Sequence, residues 1–345
     1  MDEATKSENT SLITAALEGD RRALARLITR VENGGEEARR ILSALYGRSG
    51  QAHIVGITGS PGTGKSTLVN AMARIYRERG MTVGIIAVDP TSPFSGGALL
   101  GDRVRMRDLV GDPGVYIRSM ATRGSLGGLA RATDDVVLVL DAMGFDRILI
   151  ETVGVGQAEV DIASSAHTVI VVEAPGLGDD IQAIKAGILE IGDIFVVNKA
   201  DREGVERTVM ALQTMLGLGE RMVRHHGRMM RVDVREEDVR PWKPPIIKTV
   251  ATRGEHVPDV VDAIERHREH LLRTGEMERR EWIRATHELD HVLRDALFQR
   301  LVNSLSQDEV NAVIRQVAAR EVDPYTAASH LLQEEEARRV RASQG

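Results

Sequence analysis

Apolar positions along this 345-residue chain recur with two spacings, and the switch between them divides it into three regions. In residues 1–50, "SLITAALEGDRRALARLITRVEN" sets Leu12, Ala16, Leu24, Leu27, Ile28 and Val31 on one helical stripe, and Gly34-Gly35 interrupts the run. This predicts an N-terminal helical extension. Over 51–273, short β-branched runs alternate with helix-length segments. The runs are "HIVGIT", "TVGIIAVD", "VYIRS", "RILIET", "TVIVVEA", "IFVVNKA" and "PIIKTVA". Strands alternating with helices predict an α/β domain with a mostly parallel sheet flanked by helices. The unbroken apolar character of "TVIVVEA" suits a central strand buried on both faces. Over 274–345 the helical period returns. "REWIRATHELDHVLRDALFQRL" aligns Trp282, Leu289, Val292, Leu293, Ala296, Leu297 and Leu301. That stripe either covers the core or meets a partner subunit, because an arm with little core of its own needs a surface to bury against.

Between the first strand and its helix stands "GSPGTGKST", Gly59 to Thr67. Gly59, four residues, then Gly64-Lys65-Ser66 is the phosphate-loop pattern of the P-loop NTPases, in the strand–loop–helix context that pattern requires. Glycines let main-chain N–H groups curl around phosphate oxygens. Lys65 reaches the β- and γ-phosphates, and the Ser66 hydroxyl can ligate Mg2+. The following helix turns its positive end toward the same anion. Ser60, Pro61, Gly62 and Thr63 complete the loop. Thr67 is either a ligand contact or an ordinary first-turn residue.

The base is read further along. "NKAD", Asn198 to Asp201, follows the apolar run "IFVV". Asp201 can accept hydrogen bonds from the ring N1–H and exocyclic amine of guanine, whereas adenine would leave that carboxylate unpaired. Lys199 can lie over the base, and Asn198 can tie neighbouring loops together. "TVATRG" supplies a further base-contacting loop at Val250, Ala251 and Thr252, with the Ala251 N–H the candidate donor to guanine O6. GTP/GDP is therefore the expected nucleotide. Asp89, Asp102 and Glu151 are the candidate carboxylates for Mg2+. Asp89 and Glu151 close strands, where open α/β sheets bind ligands. Each of the three is otherwise a solvated loop carboxylate or a helix cap.

Composition narrows the class. With no cysteine there is no disulfide framework and no thiolate metal site. A net charge of −6 without long like-charge blocks does not suggest a nucleic-acid binder. No apolar run approaches the roughly 18 residues of a membrane span. The acidic start "MDEATKSENTSL" is unlike a secretory or transit signal, so the expected location is cytoplasmic.

Taken in order, "GSPGTGKST", "VDPTSPFSGGALLGDRVRM", "ETVGVGQAEVDIA", "EAPGLGDDIQAIKAGILEI" and "NKAD" resemble the MeaB/ArgK-type GTPases, bacterial chaperones of adenosylcobalamin-dependent acyl-CoA mutases. The resemblance runs from about residue 10 to 300. It implies mobile loops around Mg2+ carrying Asp89, Asp102 and Glu151. It further implies a switch over 178–190 in which Asp179, Asp180, Gln182 and Lys185 match functional positions, and C-terminal helices that form a homodimer. The implied activity is slow GTP hydrolysis stimulated by the partner. The implied output is gated loading, protection and reactivation of a mutase such as methylmalonyl-CoA mutase, with an adenosyltransferase as a further partner. Gln157 or Glu151 would orient the water, and Lys185 would add positive charge; otherwise Gln157 is a helix-start residue and Lys185 an exposed helix lysine. "VAT" departs from the family's serine-containing base loop, so contact at Val250 would be through the backbone alone. A metal-delivery GTPase would call for Cys or His clusters, and His225-His226 is the sole adjacent His pair. A transport-associated NTPase would call for ATP selectivity, which "NKAD" opposes. A protein-targeting GTPase would call for a Met-rich appended groove, whereas most of the 12 methionines are scattered.

Overall fold

A computed structural model describes residues 3–89, 107–109, 111–121, 128–152, 162, 164–176, 186–225 and 241–343. The seven β-branched runs become seven strands. They are β1 (His53–Thr58), β2 (Val83–Asp89), β3 (Val115–Ala121), β4 (Arg147–Glu151), β5 (Thr168–Glu173), β6 (Ile194–Asn198) and β7 (Ile246–Thr249). They form one sheet in the order β3-β2-β4-β1-β5-β6-β7. Every neighbouring pair is parallel, in registers such as Ile57 with Glu151, Gly56 with Val169 and Asn198 with Thr249. A parallel sheet needs a crossover between neighbours, which the helical segments supply. The helices are α1 (Glu3–Leu17), α2 (Arg21–Glu32), α3 (Gly35–Leu45), α4 (Lys65–Glu78), α5 (Gly128–Ala142), α6 (Ala186–Ile191), α7 (Val205–His225), α8 (Val257–Thr274), α9 (Glu276–Ser304), α10 (Gln307–Ala318) and α11 (Pro324–Ser343).

Alternation along the strands sorts side chains into two cores. Val169, Val171, Phe195 and Val197 join one cluster, while Ile170, Val172, Ile194 and Val196 join the other. The first core is closed by the N-terminal helices: Leu12, Ala16, Leu24, Leu27, Ile28 and Val31 are all buried in it. Full burial of a side chain such as Leu27 contributes about 1.5–3 kcal/mol, which explains why helices of 11 to 15 residues hold against the sheet. Polar staples fix their position. The Arg118 guanidinium on edge strand β3 pairs with Glu32 of α2 (Nε to Oε1 2.7 Å), and Arg21 donates to the carbonyl of Asp112 (2.7 Å). The second core lies under α4 and α8.

Two compact units are present, Met1–Arg284 and Ala285–Gly345. In the second, Ser306 and Glu309 form a reciprocal capping box at the start of α10, and Arg300 pairs with Glu335 at 3.1 Å. Leu289, Val292, Leu293 and Leu297 of α9 are not covered by the other helices of this unit.

Candidate nucleotide site

All seven strands run the same way, so Thr58, Asp89, Glu151, Glu173, Asn198 and Thr249 end at one edge of the sheet. Ligands bind at the carboxyl edge of such sheets. The loop after central strand β1 turns through positive φ at Gly59 (131°), Gly62 (81°) and Gly64 (95°). Two of these positions also lack room. A Cβ on Gly59 would lie 2.1 Å from the Val172 carbonyl oxygen, and one on Gly64 would lie 2.4 Å from Asn198 Nδ2. A Cβ on Gly62 would meet nothing within 4 Å. The loop is thus pressed against β5 and β6 while its tip stays open, a cradle that side chains at Gly59 and Gly64 would fill.

Helix α4 begins directly behind. Its first backbone bond joins Leu68 N–H to the Gly64 carbonyl (3.0 Å), and the amides of its first turn point out of the N-terminal end toward the loop. Lys65 is 5% exposed, and its ammonium donates to the carbonyls of Gly59 (2.7 Å) and Ser60 (3.0 Å). Thr63 donates its hydroxyl to the Ser60 carbonyl (3.0 Å). Pro61 and Gly62 are exposed, Ser60 and Thr67 half-buried.

Ser66 and Glu151, both buried, meet: Ser66 Oγ donates to Glu151 Oε1 at 2.6 Å. They are neighbours because β4 pairs with β1 in a register that brings Glu151 opposite Ile57. A hydroxyl and a carboxylate at the mouth of a phosphate loop form a hard-oxygen donor set, which suits Mg2+. Asp89 ends β2, and its side chain lies outside the described residues. So do Asp102, Gln157, Asp179, Asp180, Gln182 and Lys185.

Asn198 joins the phosphate half of the site to the base half. It is 3% exposed. Its Nδ2 donates to the Thr63 carbonyl (2.8 Å), while its Oδ1 accepts from Thr249 Oγ1 and from the Ala251 N–H, both at 3.1 Å. The Ala251 amide, expected to face guanine O6, is here turned to Asn198. Lys199 takes up left-handed backbone (φ 57°) and donates from Nζ to the Gly62 carbonyl at 2.5 Å, so it lies along the loop. Asp201 is exposed, with Arg253 3.9 Å away. Val250 is held by backbone bonds with Glu255, Ala251 is buried beneath, and Thr252 is exposed. Two residues of the "TVATRG" segment were given no role of their own in the sequence. Thr249 is signalled only by its hydroxyl at a strand end, and Arg253 by a basic residue beside the base loop.

The opposite edge of the sheet carries a buried polar chain. Thr168 Oγ1 lies 2.8 Å from both His53 Nε2 and His267 Nδ1. Asp193 receives Arg280 (2.7 Å), and His167 meets Glu281 (2.6 Å). Burial holds His53 well below the ordinary histidine value and His267 at about 4, in the latter against the pull of Asp193.

A seven-stranded parallel sheet with a phosphate loop at its central strand and an Asn-Lys-x-Asp segment two strands away defines a P-loop protein that binds guanine nucleotides. The family model for the methylmalonyl-CoA mutase-associated GTPase MeaB matches residues 24–306, and the chain belongs to that family. It is a GTPase. A Pyrococcus abyssi protein described as "Putative GTPase" is 49% identical over 94% of this chain and 95% of its own length. The Escherichia coli GTPase ArgK is 31% identical over 87% of this chain and 90% of its own length. The mouse methylmalonic aciduria type A homolog, a mitochondrial protein, is 32% identical over 77% of this chain and 64% of its own length. Among solved structures, a LAO/AO transport system kinase superposes with a TM-score of 0.63 over 97% of this chain and 99% of its own, at 23% identity, a likeness of fold.

Proposed function

We propose that this GTPase is a nucleotide-driven chaperone of an adenosylcobalamin-dependent acyl-CoA mutase, methylmalonyl-CoA mutase or a close relative, and that it gates cofactor loading, protection and reactivation. The client rests on one observation: the match to the mutase-associated family spans both the nucleotide domain and all of α9. The name of the mouse relative points the same way.

In the proposed cycle the loop amides and the N-terminus of α4 hold the phosphates. Lys65 exchanges the carbonyls of Gly59 and Ser60 for β- and γ-phosphate oxygens, a short move for an ammonium already beside the loop. Ser66 and Glu151 would hold Mg2+, with Asp89 and Asp102 on the adjoining loops; the ion would neutralise charge growing on the phosphoryl oxygens. Gln157 or Glu151 orients the attacking water, and Lys185 adds positive charge when the segment bearing Asp179, Asp180 and Gln182 closes. Asp201 selects guanine, with Lys199 over the ring and Val250, Ala251 and Thr252 along its edge. Loops ordered by the γ-phosphate relax after hydrolysis, which serves timing better than throughput. The exposed stripe of α9 pairs with a second copy, giving a homodimer working in the cytoplasm, and an adenosyltransferase hands over the cofactor.

The test is GTP turnover and cobalamin transfer, each measured with and without the mutase. Slow turnover that rises when the mutase is added, together with GTP-dependent transfer, is expected. Rapid partner-independent turnover, or transfer indifferent to GTP, refutes the proposal.

A further inference from the structure

Helix α9 carries a second chemistry on the side away from its apolar stripe. His287 and His291 stand one turn apart, with their Nε2 atoms 3.1 Å from each other and their ring centroids 4.4 Å apart at 74°. Both are half-buried. Leu289 and Leu293 project from the other side, roughly 140–180° around the axis at 100° per residue. The pair therefore faces away from the Leu289–Leu293 part of the stripe, and Leu301, about 60° from it around the axis, lies ten residues further along the helix.

We propose that His287 and His291 chelate one divalent transition-metal ion, with Zn2+ the probe. The argument is geometric. Zinc–nitrogen bonds run about 2.0–2.1 Å, so an ideal tetrahedral angle places two imidazole nitrogens roughly 3.3 Å apart. The observed 3.1 Å corresponds to an angle of about 98° at such bond lengths, reached by a small ring rotation. The two nitrogens already stand within the span that one ion bridges. In the metal-free pair one Nε2–H donates to the other Nε2. When the ion binds there, the donor ring changes tautomer: its Nε2 proton leaves to water and Nδ1 takes one up, so both Nε2 lone pairs face the metal with no net loss of a proton. Borderline-soft imidazole suits Zn2+, Ni2+ or Cu2+ and discriminates against Mg2+, which prefers oxygen. The site thus cannot be confused with the Ser66–Glu151 position.

The pentapeptide His287-Glu288-Leu289-Asp290-His291 has the spacing by which helices present two histidines to zinc. It does not extend to peptidase chemistry. Asp290 pairs with Arg294 (2.9 Å), and among the described residues no group of three or more His, Cys, Asp or Glu side chains is placed to hold a metal. Water completes the coordination shell.

The experiment is a calorimetric titration of the full chain, stripped with chelator, with Zn2+. One ion per chain is expected. His287→Ala and His291→Ala should each weaken it by at least about tenfold, because each removes one arm of a chelate with high effective concentration. His330→Ala, on an exposed histidine of α11, should leave it unchanged. His291→Gln serves as a second variant of similar size should alanine compromise folding, and far-ultraviolet circular dichroism checks each protein. The proposal falls if wild-type protein takes up no zinc, if affinity survives both single substitutions, or if it is lost only in a His225→Ala/His226→Ala variant.

Discussion

Replacing Asn198 with alanine should damage the site more than any other single loss of a neutral side chain. Asn198 serves three partners: the Thr63 carbonyl at 2.8 Å, and the Thr249 hydroxyl and Ala251 N–H at 3.1 Å each. All three partner residues are buried, Thr63 and Thr249 completely. A hydroxyl can rotate to another acceptor; the two backbone groups cannot. Leaving a buried polar group unsatisfied costs about 1–3 kcal/mol, so two amount to about 3 kcal/mol. At about 1.4 kcal/mol per decade this is a hundredfold change in an equilibrium constant. The loss falls on folding if the loops stay in place, and on nucleotide binding if they loosen instead. Urea unfolding and equilibrium titration with a fluorescent GDP analogue measure the two shares, which should sum to that figure. Asn198→Asp retains the acceptor for Ala251 but sets a carboxylate against the Thr63 carbonyl, so it should not rescue the phosphate loop. If Asn198→Ala leaves both quantities within about 0.5 kcal/mol of wild type, the range of a neutral surface change, the claim that this side chain locks the two halves together is wrong.

Gly59→Ala should abolish nucleotide binding or weaken it by well over about tenfold, because it adds a Cβ 2.1 Å from the Val172 oxygen to a left-handed strain of about 1–3 kcal/mol. Gly62→Ala, with open space around its Cβ, carries the strain alone and should bind measurably better; equal behaviour would contradict the packing argument. Asp201→Asn should reduce GTP affinity by about tenfold to a hundredfold, the range for hydrogen bonds to a charged group, while raising affinity for xanthosine nucleotides in isothermal titration. Stability should fall on acidification from pH 6.5. His267 titrates near 4 when folded against 6.5 in the unfolded chain, so the unfolded state gains the proton first, at about 1.4 kcal/mol per pH unit down to pH 4. His53 shifts in the same direction. Denaturation midpoints measured from pH 7 to pH 5 should decline, and His267→Gln should flatten that slope.

How much was legible in the chain depended on how local each signal was. The central strands stood out because a parallel strand buried on both faces is apolar through its middle, as residues 169–172 and 54–57 are, and the edge strands β3 and β7 followed from their β-branched residues. The burial of Leu24, Leu27, Ile28 and Val31 was equally plain, since helical spacing points them one way. Lys65 and Ser66 were legible because a phosphate loop is contiguous. Contacts between distant segments were not. Nothing in the order of residues says that β4 lies beside β1, yet that register alone brings Glu151 to Ser66, 85 positions away. Nor does it say that Gly59 must be glycine partly because β5 passes behind it, or that the Ala251 amide turns to Asn198. Periodicity and motifs act over a few residues and are written in the chain. Strand order and the close approach of remote backbones arise from packing the whole sheet, so they become visible only once it is assembled.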